Sequence, residues 1–163
     1  MNKKAEIINS ASVYVQGLGF IAHSAKAKLP EIEFAEFTHM SGVAENTSYS
    51  TILKQMKATL ELIEENKVYY EALAKRTLER ASFDVKYTAN NKQVTVTLKG
   101  SIVKMTHGDI EVGKENMKTI ELTVDFFKKE TDGYVENLID VENMICEING
   151  NDIWAAQRDF LVG

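Results

Sequence analysis

Residues 93–102 read Gln93-Val94-Thr95-Val96-Thr97-Leu98-Lys99-Gly100-Ser101-Ile102. Val94, Val96, Leu98, Gly100 and Ile102 alternate with polar residues, the period of a β-strand with one buried face and one wet face. A second stretch repeats the pattern: Ile120, Leu122, Val124 and Phe126 alternate with Thr119, Glu121, Thr123 and Asp125. Both runs, one around Thr95 and one from Thr119 to about Lys129, exceed the usual strand length of ~5–6 residues. Their polar faces are rich in threonine and free of large apolar groups. Such strands cover a core on one side and meet water on the other, either as open surface or as the wall of a water-filled channel.

The neighbouring segments extend this pattern. Phe83, Val85 and Tyr87 alternate up to an Asn90-Asn91 turn, and His107-Gly108-Asp109 and Thr131-Asp132-Gly133 read as further turns. A strand is expected from Val141 to Ile148, ended by Asn149-Gly150, and a short helix from Ile153 to Phe160, capped by Asn151 or Asp152. Upstream, Met56, Ala58, Leu60 and Leu62 alternate with Lys57, Thr59 and Glu61, which predicts a strand through about Ile63. Tyr70, Leu73, Ala74, Thr77 and Leu78 then follow helical spacing, predicting a helix capped by Asn66 and ending near Arg80. Val13 and Val15 open a strand, Gly17 and Gly19 bracket a turn, and an extended run leads from Phe20 to Leu29 and Pro30. After Pro30, Ile32 and Phe34 alternate with Glu31 and Glu33. Thr38 to Ser50 is polar and irregular around Gly42 and reads as a long loop of the functional or interface-forming kind. The expected fold class is mainly β, with antiparallel sheets in a sandwich or barrel-like arrangement and one substantial α-helix, in a single domain over 1–163.

Chemistry is hard to place on this chain. His23, His39 and His107 have no partner at metal-ligand spacing. Ser24 and Ser101 lack a nucleophile-elbow context, and Gly17-Leu18-Gly19 lacks the third glycine of a dinucleotide loop. Cys146 is the one cysteine, so an internal disulfide or cysteine metal cluster is excluded; it shares a face with Met144 and Ile148 as a small core residue. No catalytic residue, metal site or cofactor is therefore expected. Glu64-Glu65 and Lys128-Lys129-Glu130 read as solvated charges near element ends. Trp154 fits either a core aromatic or an interface anchor. The 44% hydrophobic and 26% charged shares are ordinary for a globular protein. A net charge of −5 without a basic stripe argues against binding nucleic acid through phosphates. Neither a signal peptide nor an apolar run of membrane-spanning length is visible, so the chain is expected to stay in the cytoplasm where it is made, without stable membrane association.

Two blocks carry a resemblance. Asn143-Met144-Ile145-Cys146-Glu147-Ile148-Asn149-Gly150-Asn151-Asp152, followed by Arg158 and Gly163, resembles the closing segment of major tail tube proteins of contractile-tail phages. In that family an apolar strand runs into an Asn-Gly-x-Asp turn and an arginine follows, which here maps to Asn149, Gly150, Asp152 and Arg158. Val13-Tyr14-Val15-Gln16-Gly17, then Leu29-Pro30 and the small-residue stretch Ser41-Gly42-Val43-Ala44, is similar to the family's opening block. The segment Leu60 to Arg80 is more charged and helix-prone than the family pattern.

The resemblance implies a tail-tube fold and a structural role in a phage tail or R-type tailocin. Hexameric rings would join their sheets into one barrel and stack into a rigid tube inside a contractile sheath. A baseplate or tail initiator, a tape measure and a tail terminator are the implied partners, with DNA only in transit in a phage. Assembly would occur in the host bacterial cytoplasm, and the product would sit in the virion or tailocin particle. On this reading Gln93, Thr95, Thr97 and Lys99, with Glu121, Thr123 and Asp125, and Lys57, Thr59 and Glu61, line a mildly acidic lumen. Thr38, His39, Ser41, Gly42, Glu45, Asn46 and Tyr49 belong to an inter-subunit loop that orders on assembly. Two other readings remain: a related tube of a type VI secretion system, and a monomeric small-molecule-binding β-barrel with an apolar cavity.

Overall fold

The computed structural model describes residues 5–15, 19–22, 24–63, 74 and 81–163. Among these residues twelve strands run in chain order: β1 (Ile8–Val15), β2 (Gly19–Ala22), β3 (Ser24–Lys28), β4 (Phe34–Ser41), β5 (Ala44–Leu53), β6 (Met56–Leu62), β7 (Ala81–Ala89), β8 (Lys92–His107), β9 (Lys118–Thr131), β10 (Tyr134–Asp140), β11 (Ile145–Ile148) and β12 (Asn151–Asp152). A C-terminal helix, α1, covers Ala155–Val162. Apart from Ala74, the helix expected over 66–80 lies outside the described residues, as do Gly17 and Leu18 of the expected turn.

Antiparallel ladders join β12-β11-β10-β9-β8-β7-β1-β2, and β6 bridges β9 and β3. Because β2 pairs with β1 while β3 pairs with β6, the circuit β1-β7-β8-β9-β6-β3 returns upon itself, and β1 also packs against β3. The sheet is thus a barrel, extended along the second half of β9 by β10 to β12. The alternation read from the sequence sets which residues face inward. Val94, Val96, Leu98 and Ile102 of β8 join Ile120, Leu122 and Val124 of β9, Leu60 and Leu62 of β6, and Phe83 and Val85 of β7 in one buried cluster. Burying each such side chain stabilises the fold by roughly 1.5–3 kcal/mol relative to exposure. Cys146 is fully buried in this cluster, as its alternation predicted.

Tight turns sit where Asn and Gly supply left-handed backbone. Asn90 (φ 48°) and Asn91 (φ 64°) join β7 to β8, and Asp132 (φ 48°) and Gly133 (φ 83°) join β9 to β10. Positive φ at both central residues gives these hairpins the twist of their strands.

Three expectations are corrected. Thr38 to Ser50 is not an irregular loop: it forms most of a two-stranded hairpin, β4 against β5, registered from Ser41↔Ala44 to Phe34↔Leu53. No residue from 36 to 49 is buried, and strand periodicity arises only where one face is buried, so this ribbon left no alternating signature. The expected strand from Val141 begins only at Ile145. The Asp140 carboxylate accepts hydrogen bonds from the Asn143 backbone N–H (3.2 Å) and side-chain amide (2.6 Å), closing a turn before it. The terminal helix starts two residues later than expected, with Trp154 rather than Asn151 or Asp152 at its N-cap, because Asp152 is engaged in β12 and the preceding turn.

Candidate functional site

Directly opposed residues of paired strands point to the same face, and the registers gather the sequence-predicted polar positions accordingly. Lys57, Thr123 and Ser101 form one rung across β6, β9 and β8; Thr59, Glu121 and Lys104 form the next; Glu61, Thr119 and Thr106 the third. Further along β8, Lys99 lies opposite Phe126 and Ser82, Thr97 opposite Lys128 and Asp84, Thr95 opposite Glu130 and Lys86, and Gln93 opposite Thr88. Thr97 Oγ1 donates to Asp84 Oδ1 at 2.9 Å, Lys128 pairs with Glu130 at 3.7 Å, and Lys99 Nζ stands 4.7 Å over the Phe126 ring.

Asp125 is the exception among the expected lumen residues. Val124 opposes Gly100 and Phe126 opposes Lys99, so Asp125 is the extra residue of a bulge. It lines a groove beside Thr51, Met144 and Trp154 instead, and Phe126 takes its place in the row. Sequence reading also missed Asp84, Lys86, Ser101, Lys104, Lys128 and Glu130 on this face. The bulge puts Lys128 and Glu130, which looked like solvated ends, in line with Thr97 and Thr95.

The face is not acidic. Lys57, Lys86, Lys99, Lys104 and Lys128 offset Glu61, Asp84, Glu121 and Glu130. The acidic excess lies in residues 132–163, which hold seven of the 24 carboxylates and one of the 19 basic residues, Arg158.

The second feature is the β4–β5 hairpin. Gly42 (φ 66°) occupies the first central position of its two-residue turn, where glycine is required, and this was the one turn signal in the stretch. Thr38 pairs with Thr47, His39 with Asn46, Met40 with Glu45 and Glu36 with Tyr49. Phe37, Met40 (70% exposed), Val43, Tyr49 (81%) and Ile52 are large apolar groups left in solvent. Among the described residues the hairpin is anchored at its base: Ile32, Phe34 and Leu53 pack on the core, and Lys54 is bonded to Glu33 through backbone (2.8 Å) and side chain (2.8 Å).

The third feature is the closing segment. Asn149 (φ 50°) and Gly150 (φ 80°) form the turn between β11 and β12. Asp152 then acts as a hub: Oδ1 accepts from the N–H groups of Cys146 (3.2 Å) and Trp154 (3.1 Å), and Oδ2 accepts from Arg158 Nη1 at 2.6 Å. Arg158 also donates to the Met144 carbonyl at 3.1 Å. Burial pushes the Asp152 carboxyl up, but Arg158 and the two backbone donors outweigh it and hold the group below the usual carboxylate range. Burial also raises the Cys146 thiol, which keeps it a neutral core group.

The sequence model of the phage tail tube protein FII family matches residues 5–161. A search of curated protein sequences returns no match. Among solved structures, a chain of the extracellular contractile injection system PVC sheath/tube terminator, in its extended state, is 12% identical with a TM-score of 0.63, covering 80% of this chain and 99% of its own. A chain of the anti-feeding prophage tube-terminating cap is 13% identical with a TM-score of 0.62, over 80% of this chain and 94% of its own. Hcp1 from Flavobacterium johnsoniae is 15% identical with a TM-score of 0.51, over 78% and 98%. These likenesses establish a shared fold, and the family match spans nearly the whole sequence. The chain belongs to the phage tail tube protein FII family, a family of structural tube proteins and not of enzymes.

Proposed function

We propose that this tube protein assembles as hexameric rings that stack into the inner tube of a contractile phage tail or tailocin. The β6–β9–β8 face lines the lumen, with Asp84 and Lys86 of β7 continuing it. The observation that carries the reading is the projecting β4–β5 hairpin, in which no residue from 36 to 49 is buried. Neither of its outer edges pairs with another strand among the described residues, and five of its apolar side chains are exposed; such a ribbon is a liability in a monomer and an asset between neighbouring copies.

A lumen of interspersed charges and threonines holds few uncompensated cations. It passes a polyanion, or any other cargo, with little retention. The acidic surface of residues 132–163 then faces outward, toward a surrounding sheath. Tail initiator, tape measure and terminator complete the assembly, which takes place in the host cytoplasm. The small-molecule reading loses ground because apolar side chains fill the barrel interior.

Negative-stain electron microscopy over a concentration series tests the proposal. Rings or hollow tubes of uniform diameter are expected; monomers alone, even with tail initiator and sheath protein added, overturn it.

A further inference from the structure

The hairpin does not leave the barrel as a regular ribbon. Between the pairs Phe34↔Leu53 and Glu36↔Tyr49, three residues of β5 (Ser50, Thr51 and Ile52) face only Ala35 of β4. Such a bulge bends and twists its strand, so it sets the direction of everything beyond it. From inside the ribbon it is held by Ser50, whose Oγ donates to the Ala35 carbonyl at 2.6 Å and accepts from the Ile52 N–H at 3.3 Å.

From outside, the bulge is held by the closing segment. Trp154 Nε1 donates to the Thr51 carbonyl at 2.8 Å, and Gln157 Nε2 donates to Thr51 Oγ1 at 2.8 Å. Both donors sit on a rigid support. The Asp152 hub ties Cys146, Trp154 and Arg158 together, and Arg158 ties that unit to Met144. The Trp154 ring packs on the core, so its N–H is aimed by the barrel itself. The Asn-Gly-x-Asp…Arg pattern near the end of the chain thus builds a bracket whose two outward donors meet a residue a hundred positions earlier.

We infer that the closing segment is a latch that positions the assembly hairpin: Trp154 and Gln157 grip the bulge at Thr51 and fix the direction in which β4 and β5 project. This rests on the hairpin being the assembly element. A pre-aimed ribbon loses less conformational freedom when it meets its neighbour than one that swings about its base. Trp154 and Gln157 are positioning residues; they act through Thr51 and need not touch the neighbouring copy.

Three variants of the full chain test this: Trp154→Phe, which keeps an aromatic ring but removes the N–H; Gln157→Ala, at an exposed position that leaves the fold intact; and Val43→Glu, at the hairpin tip. Each is compared with wild type for the critical concentration of tube formation and for amide hydrogen exchange. Losing one grip is expected to raise the critical concentration about tenfold, the range of a single net hydrogen bond. Amides of residues 36–52 should exchange faster while those of β8 and β9 stay unchanged. Exchange rising equally throughout the barrel marks a general stability effect and overturns the inference. Tubes forming from Gln157→Ala and Trp154→Phe at the wild-type concentration, while Val43→Glu blocks them, also overturn it and leave the hairpin's role standing. Normal tubes from Val43→Glu sink the hairpin reading itself.

Discussion

Gly100→Ala is the substitution whose cost follows most directly from the backbone. Gly100 sits at the bulge where the β8–β9 register shifts. A Cβ there would overlap the Thr123 carbonyl oxygen and stand 2.8 Å from the Thr123 carbonyl carbon and 3.0 Å from Val124 Cα. Carbon atoms pack at ~3.5–4.0 Å, so the two strands would have to part by roughly 1 Å. The three nearest atoms are all backbone of β9, which a side-chain rotation cannot move, and at Thr123 and Val124 β9 is held between β8 and β6. Overpacking of a core costs about 1–3 kcal/mol, and a backbone clash belongs at the upper end, about 3 kcal/mol. For a chain of this size that lowers the melting temperature by roughly 6–12 °C and the urea midpoint by roughly 1–3 M. The assay is thermal and urea unfolding of the monomer, with Ser101→Ala, an exposed neighbour on the same strand, as a control expected within ~0.5 kcal/mol of wild type. A Gly100→Ala protein melting within about 2 °C of wild type refutes the reasoning.

Asp152 has a folded pKa below its unfolded value, so its contribution to stability is fully present above about pH 4 and is lost as pH falls through the folded value. Asp152→Asn should therefore be less stable at neutral pH and lose stability less steeply between about pH 4 and pH 2; parallel urea-midpoint curves for the two proteins would contradict this. Thr97→Cys should react with a bulky maleimide in monomers and be shielded in intact tubes, against a low background because Cys146 is fully buried. Rapid labelling along intact tubes would remove Thr97 from the lumen.

Where a strand buries one face in its own chain, the alternation of residues 93–102 and 119–124, and of 56–62, was enough to give strand, orientation and face. Side-chain period and burial there have the same cause. Asn90-Asn91, Asp132-Gly133 and Asn149-Gly150 were legible for a comparable reason: few other residues adopt that backbone. The Asn-Gly-x-Asp…Arg pattern marked the family before its geometry was visible.

Other features depended on contacts between distant residues. The β4–β5 ribbon has no buried face from 36 to 49, so nothing in the monomer imposed a period on its sequence, and only Gly42 hinted at its turn. Asp125 was placed by a bulge that Gly100, on another strand, permits. The balance of the polar face came from lysines and carboxylates of several strands that register alone brings together, which the net charge of the whole chain does not report. The partners of Trp154 and Gln157 were set by folding the end of the chain back onto Thr51. Local pattern carried what one strand's own burial enforces; tertiary structure decided what two distant segments impose on each other, because hydrogen-bond partners and bulge positions depend on how strands meet and leave no period in either one.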